Sequence, residues 1–299
     1  MIQPGNIDQL KILKQIPHHW MSDLKWSKSG HELAVATGEG LYIYQDSLAK
    51  DAGLHLNAHN GPVKSVAFSA DAEWIASGGA DTYIVLWRRQ GSTWHFHARL
   101  AAGDCVNCLA FSPDGHWLAS GGADQRILMW RIEDQKALAS FEAHEDEILD
   151  LDFGLKGLVL LSVGRDGVIY RCALTEGGRG DAIGKHFDWI RSLTISSDGQ
   201  QIATASKDMS VQVRDIQTGQ LVQQLQAHLN GADCVALGQD LLFTGGRDQQ
   251  LKVWSKSDGH LLAEHSVGEK PLLKLALHPQ EHLLLTGSGD NYLRIWGIL

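Results

Sequence analysis

The chain has 299 residues, 43% of them hydrophobic, and a formal net charge of −9. That apolar content is too high for a disordered chain, and the acidity argues against general nucleic-acid binding, which relies on a basic field. No stretch approaches the ~18 uninterrupted apolar residues of a membrane span, the four cysteines are too few for a disulfide framework, and MIQPGNIDQL lacks a signal-type apolar core. The expectation is a soluble, cytoplasmic protein without membrane insertion.

In chain order, DQLKILKQIPHH comes first and resembles two later stretches, QKALASFEAH and GQLVQQLQAH. ATGEGLYIY, around Glu39, is a degenerate copy of a motif that then recurs: ASGGADTYIVLW (Ala76–Trp87) and ASGGADQRILMW (Ala119–Trp130). Further copies follow as SVGRD, TASKD, TGGRD and TGSGD, ending at Asp166, Asp208, Asp248 and Asp290. From Asp81 onward the aligned aspartates are 43, 42, 42, 40 and 42 residues apart. A period of about 40–45 residues marks propeller blades, so seven repeated units replace the two domains that length alone suggests.

Residues 59–100 show what one unit contains. HNGPVKSVAFS alternates Val63, Ser65 and Ala67 against Lys64, Val66 and Phe68 and reads as a strand. ADAE turns the chain, WIASGG and YIVLW are second and third strands, and TWHFHARL is a fourth, more polar one. A four-stranded sheet with two apolar faces is not stable alone; seven stacked radially bury those faces against one another. The units are expected at about 17–58, 59–101, 102–143, 144–185, 186–227, 228–265 and 266–299. Because RIWGIL runs only three residues past Trp296, residues 9–16 are expected to complete the last unit, closing the ring and removing an open sheet edge.

On these residues the chain resembles, over essentially its whole length, the WD-repeat family of seven-bladed β-propellers. The fold expected is therefore all-β, with four antiparallel strands per blade. The family pattern places His before the first strand, Ser or Thr on the second, Asp in the next turn and Trp near the end of the third. Blade 2 supplies His59, Ser77, Asp81 and Trp87, and blade 6 supplies His228, Thr244, Asp248 and Trp254. These are read as a structural hydrogen-bonded network, since buried polar groups need partners. Blade 3 has Ala102 for His but keeps Ser120, Asp124 and Trp130. Blades 4 and 5 keep His144, Ser162, Asp166 and His186, Thr204, Asp208, with Arg171 and Arg214 at the Trp position. Blade 7 has Thr286, Asp290 and Trp296 with His265 displaced, and blade 1 has Thr37 and Tyr44 without the Asp.

Neither a P-loop nor a GxSxG elbow is present. Cys105 and Cys108 lie three apart on a strand and point to opposite faces, and His95 and His97 share a face without a third ligand. HEDEILDLD is read as a solvated acidic rim, and Arg179-Gly180-Asp181 within GGRGD as a chance loop. No catalytic residue, metal or cofactor is expected, and the protein is read as a non-enzyme.

The resemblance also implies that the narrower top face binds peptides, through the residue before each turn Asp and two residues at each first-strand start. Before the Asp stand Ala80, Ala123, Arg165, Lys207, Arg247 and Gly289; at the strand starts stand Trp20 and Ser22, Pro62 and Lys64, Cys105 and Asn107, Glu147 and Leu149, Trp189 and Arg191, Gly231 and Asp233, and Pro271 and Leu273. Trp20, Trp94 and Trp189 have no role in the repeat. The candidate site is thus a basic arc of Arg165, Arg191, Lys207 and Arg247 with Trp189 at its edge, Asp233 and Trp20 completing the face. It suits an acidic or phosphorylated peptide, because Arg makes bidentate contacts to carboxylate or phosphate. The competing reading is that Glu147, Asp188 and Asp233 neutralise the arc in a solvated face, where each exposed pair contributes only ~0–1 kcal/mol. The function expected is a protein–protein interaction scaffold, monomeric alone or part of a hetero-complex; the alternative is a propeller enzyme or small-molecule binder at the channel mouth.

Overall fold

The computed structural model describes residues 1–45, 53–142, 144–174 and 180–298; Gly177–Arg179 of the GGRGD stretch lie outside the described residues. Within them, 28 strands form seven four-stranded sheets, each strand antiparallel to its neighbours. Blade 2 is representative, with strands Val63–Phe68, Trp74–Gly79, Tyr83–Gln90 and Thr93–Ala101 in sequence order across the sheet. Blade 7 departs from that order. Its strands Leu272–Leu277, Leu283–Ser288 and Tyr292–Gly297 are joined by Lys11–Pro17, which pairs from Lys11 opposite Gly297 to Pro17 opposite Tyr292. The ring is therefore closed by the N-terminal strand, one or two residues further along than the repeat pattern places it.

What holds the ring together follows from the two-residue period of a strand, whose alternate side chains face opposite ways. In the second strand of blade 1, Glu32–Thr37, Leu33 and Val35 join an apolar cluster with Leu285 and Ile295 of blade 7. Ala34 and Ala36, from the same strand, join Val66 and Ile75 of blade 2. The same division repeats around the ring, so each junction between neighbouring blades has its own apolar cluster. The repeated Ser-Gly-Gly is explained by the same packing: a Cβ on Gly78 would come within 2.5 Å of Val106, on the first strand of the next blade.

Polar contacts cross the junctions as well. Asp23 of blade 1 accepts hydrogen bonds from Ser65 Oγ (3.2 Å) and the Val66 amide (3.0 Å) of blade 2. Asp150 of blade 4 accepts from the Leu193 amide of blade 5 at 2.9 Å. Among the described residues, no helix is long and apolar enough to cross a membrane.

Candidate functional site

The network residues come together in both blades. His59 lies 2.9 Å from Asp81 through Nδ1 and 2.9 Å from Ser77 Oγ through Nε2, and Trp87 Nε1 donates to the same hydroxyl at 3.0 Å. In blade 6, His228 lies 2.8 Å from Asp248 and 2.8 Å from Thr244, and Trp254 donates to Thr244 at 2.9 Å. One proton arrangement satisfies every atom: Nδ1–H donates to the carboxylate, the hydroxyl donates to Nε2, and the indole N–H donates to the hydroxyl oxygen. Burial opposes charge on Asp81, but hydrogen bonds from His59 and the Asn60 amide hold its pKa below the usual carboxylate value. Burial also depresses the His228 pKa, against the pull of Asp248.

Two assignments from the repeat pattern are corrected by the strand registers. Trp87 pairs with Ile75, and the residue in the matching place of blade 4, opposite Leu160, is Cys172 rather than Arg171. Arg171 instead donates to the carbonyls of Ile216 and Gln217 in blade 5. In blade 1 the place of Ser77 is taken by Val35, between Leu24 and Tyr42, while Thr37 bonds locally to Gly40. Trp94 belongs to the core: it is buried, donates to Glu32 at 3.3 Å and carries the Arg89 guanidinium 4.4 Å above its ring. His265 lies on the fourth strand of blade 6, and Asp290 of blade 7 is held by Arg294 at 3.1 Å.

The first strands carry part of the candidate set, and Arg165, Lys207 and Arg247 follow the second strands. Each of the seven first strands has a bulge between its first and third residues, for example between Val63 and Ser65. A bulge re-aims the side chain it carries, and here the bulge residues are Ser22, Lys64, Asn107, Leu149, Arg191, Asp233 and Leu273. All seven line one cavity of about 340 Å³, with Trp20, Met21, Arg165, Trp189, Arg247 and Lys274. Convergence of all seven blades identifies this cavity as a mouth of the central channel. It shares Asn107, Leu149 and Lys274 with a second cavity of about 310 Å³ further along the channel.

Of the expected site, Trp20, Arg165, Trp189, Arg191, Asp233 and Arg247 therefore meet at the mouth, while Lys207 stands beside it. Trp189 is not at the edge of the arc. Its ring is enclosed by Arg165 at 4.5 Å and Lys207 at 4.6 Å, close enough for cation–π attraction. Every cation of the arc has an acidic partner: Arg165 with Glu147 (2.9 Å), Lys207 with Asp188 (3.1 Å), and both Arg191 and Arg247 with Asp233, the latter at 3.4 Å. Asp233 is 4% exposed, so its pairs are the desolvated ones. Even so, the mouth is lined by five cations, Lys64, Arg165, Arg191, Arg247 and Lys274, against the single carboxylate of Asp233.

Lys274 and the charges below it lie outside the top-face positions that the repeat pattern marks. They occupy the residue after each bulge: Asp23 in blade 1, Asp150 in blade 4 and Lys274 in blade 7. Burial pushes the Asp150 carboxyl up, opposed by the charges of Lys25 and Lys274. Burial works against the charge on Lys25, but Asp23, Asp150 and Asp152 outweigh it and raise its pKa. The signal available in the sequence was charge at a position that is Ser65, Cys108, Ser192 or Cys234 in the other blades.

The ring, the indole-capped His–Asp networks and the residue-lined mouth define the class: a seven-bladed WD-repeat β-propeller. The chain belongs to the IFT122 first beta-propeller family, whose model matches residues 20–297. It is similar to WD repeat-containing protein 55 of Rattus norvegicus, 32% identical over 117 residues, covering 38% of this chain and 30% of that protein. It is also similar to the nuclear distribution protein PAC1 of Coccidioides posadasii (strain C735), 26% identical over 278 residues, or 81% and 58% of the two chains. The poly(A)+ RNA export protein of Schizosaccharomyces pombe matches at 34% over 142 residues, or 45% and 40%. The chain spans less than two thirds of the length of each of these relatives.

Proposed function

We propose that the protein is a non-enzymatic interaction scaffold in the cytoplasm, alone as a monomer or within a larger complex, that receives an acidic or phosphorylated segment of a protein partner at the channel mouth. The observation that carries this reading is the charge of the mouth: five cations line it against Asp233 and the Glu147 that pairs with Arg165, in a protein whose net charge is −9. Low-dielectric clefts of one sign concentrate ligands of the other, and arginine suits carboxylate or phosphate through paired hydrogen bonds. Trp20, 55% exposed at the same mouth, adds the residue type that dominates interface energetics. The pairing with Glu147, Asp188 and Asp233 lowers the local charge without reversing it, and orders the guanidinium groups in advance of a ligand.

The test is capture from a native lysate with wild type and an Arg165/Arg191/Lys207/Arg247→Ala variant of equal melting temperature. Partners lost from the variant support the reading. Partners retained equally would place binding on the sides or the opposite face of the ring.

A further inference from the structure

Blades 5 and 6 expose three apolar side chains on the rim beside this mouth: Phe187 (99% exposed), Met209 (42%) and Leu229 (70%). Hydrogen bonds place them next to one another. The Phe187 amide donates to Asp208 Oδ2 at 3.0 Å, and Met209 follows Asp208 in the chain. The Met209 carbonyl in turn accepts from the amides of Ala227 (3.0 Å) and His228 (3.2 Å), and Leu229 follows His228. The three residues thus form one ridge crossing the junction between the two blades.

The fold does not require apolar residues there. At the place of Phe187 and Leu229 the blade needs a backbone N–H to bond its turn aspartate, and blades 2 and 4 meet that need with Asn60 and Glu145, at 2.9 and 3.2 Å. Met209 occupies a turn position with φ of 73°, where Thr82 and Gln249 stand in blades 2 and 6. A bulky side chain in that left-handed region is unfavourable, so folding gives no reason for it. Adjacent exposed apolar residues mark an interaction surface when the fold has no use for them.

We propose that this ridge and the channel mouth act as one composite docking surface, for an acidic segment of a partner protein that carries apolar side chains close to its charges. The inference rests on the reading of the mouth given above and adds the second half of the recognition. Phe187 precedes Asp188 and Trp189, so ridge and mouth are two residues apart in the chain, at most about 7 Å. The partner's charges enter among Arg165, Arg247 and Lys64, and its apolar side chain covers Phe187 and Leu229. The mouth alone would accept any acidic chain; the ridge selects those with an apolar residue about two positions from the charge.

The test uses two synthetic peptides and fluorescence anisotropy. One alternates Asp and Glu with Leu and Phe; its counterpart carries Ser at each Leu and Phe. Wild type is compared with Phe187→Ser/Leu229→Ser and with Arg165→Ala/Arg247→Ala, each first shown to keep its melting temperature. Wild type is expected to bind the apolar-containing peptide about tenfold or more tightly than its counterpart, the gain from covering one or two apolar side chains. The ridge variant loses that ratio while keeping its affinity for the counterpart, and the mouth variant weakens both peptides. Equal affinity of wild type for the two peptides, with the mouth variant weakening both, would overturn the composite surface and leave the mouth reading intact. Failure of both peptides to bind wild type would overturn both. Concentration-dependent self-association of wild type, abolished by Phe187→Ser/Leu229→Ser, would overturn the proposal in favour of a second copy of this chain.

Discussion

Arg191 of blade 5 donates to the buried carboxylate of Asp233 in blade 6, so one ion pair both joins two blades and sets the charge of the channel mouth. Arg247 approaches the same carboxylate from the other side at 3.4 Å. Removing a buried partner leaves the remaining charges without compensation. Asp233→Asn is therefore expected to cost about 3 kcal/mol of stability while making the mouth more anion-binding. Urea denaturation with and without sulfate checks this: the variant should be less stable in its absence and gain more than wild type from its presence.

Ring closure depends on Lys11–Pro17 covering the Tyr292–Gly297 strand. Deletion of residues 1–16 bares that edge and removes Ile16 from the junction with blade 1, and uncovered edges pair with other chains. The truncated protein is expected to aggregate in size-exclusion chromatography. A soluble, cooperatively melting truncation would contradict the closure.

Ser77 and Thr244 each receive an indole N–H and face a histidine nitrogen. Ser77→Ala leaves both groups of blade 2 unsatisfied, at a cost of about 1–3 kcal/mol, and Thr244→Val should do the same in blade 6. In Ser77→Ala/Thr244→Val the two costs should add, because the sites lie in separate blades. Denaturant midpoints of the single and double variants measure this.

Much of this was readable in the chain, and the failures have physical causes. The 42-residue repeat specifies the ring, because each copy supplies the two apolar faces, and the copies in blades 2, 3 and 6 add the Gly-Gly that lets the next blade approach. The His–Ser–Asp–Trp pattern likewise brought His59, Ser77, Asp81 and Trp87 into one hydrogen-bonded set. In blade 4 the repeat pattern is off by one residue: an arginine lies beside the Trp position, and the register that puts Cys172 there is a property of strand pairing. Trp94 looked surplus because its partner, Glu32, lies in another blade, 62 residues away. The pairing of the basic arc stands in the sequence only as an alternative, because three of the four pairs form within one blade and one across a junction, and which charges meet depends on side-chain directions that the spacing does not give.

Acid sensitivity follows from His18. Burial, with a smaller effect from His19, lowers its pKa from 6.5 to about 4, and its Nε2 is buried without a hydrogen-bond partner among the described residues. The unfolded chain binds this proton first, so the contribution is complete above pH ~6.5 and is lost as pH falls toward about 4. Asp81 and Asp166, with depressed pKa values, add a further loss at lower pH, as they protonate. Urea titrations between pH 7.5 and 4 should show falling stability in wild type and a flatter profile in His18→Phe, which keeps a ring against Tyr42.

Thermal melting with charged polymers tests most directly whether this acidic protein receives an acidic chain at its channel mouth. Binding to the folded state raises the melting temperature by mass action. Poly-glutamate is predicted to raise that of wild type and to leave Arg165→Ala/Arg247→Ala unmoved, with the shift disappearing at high salt. No shift with poly-glutamate, or an equal shift in wild type and the variant, would contradict it.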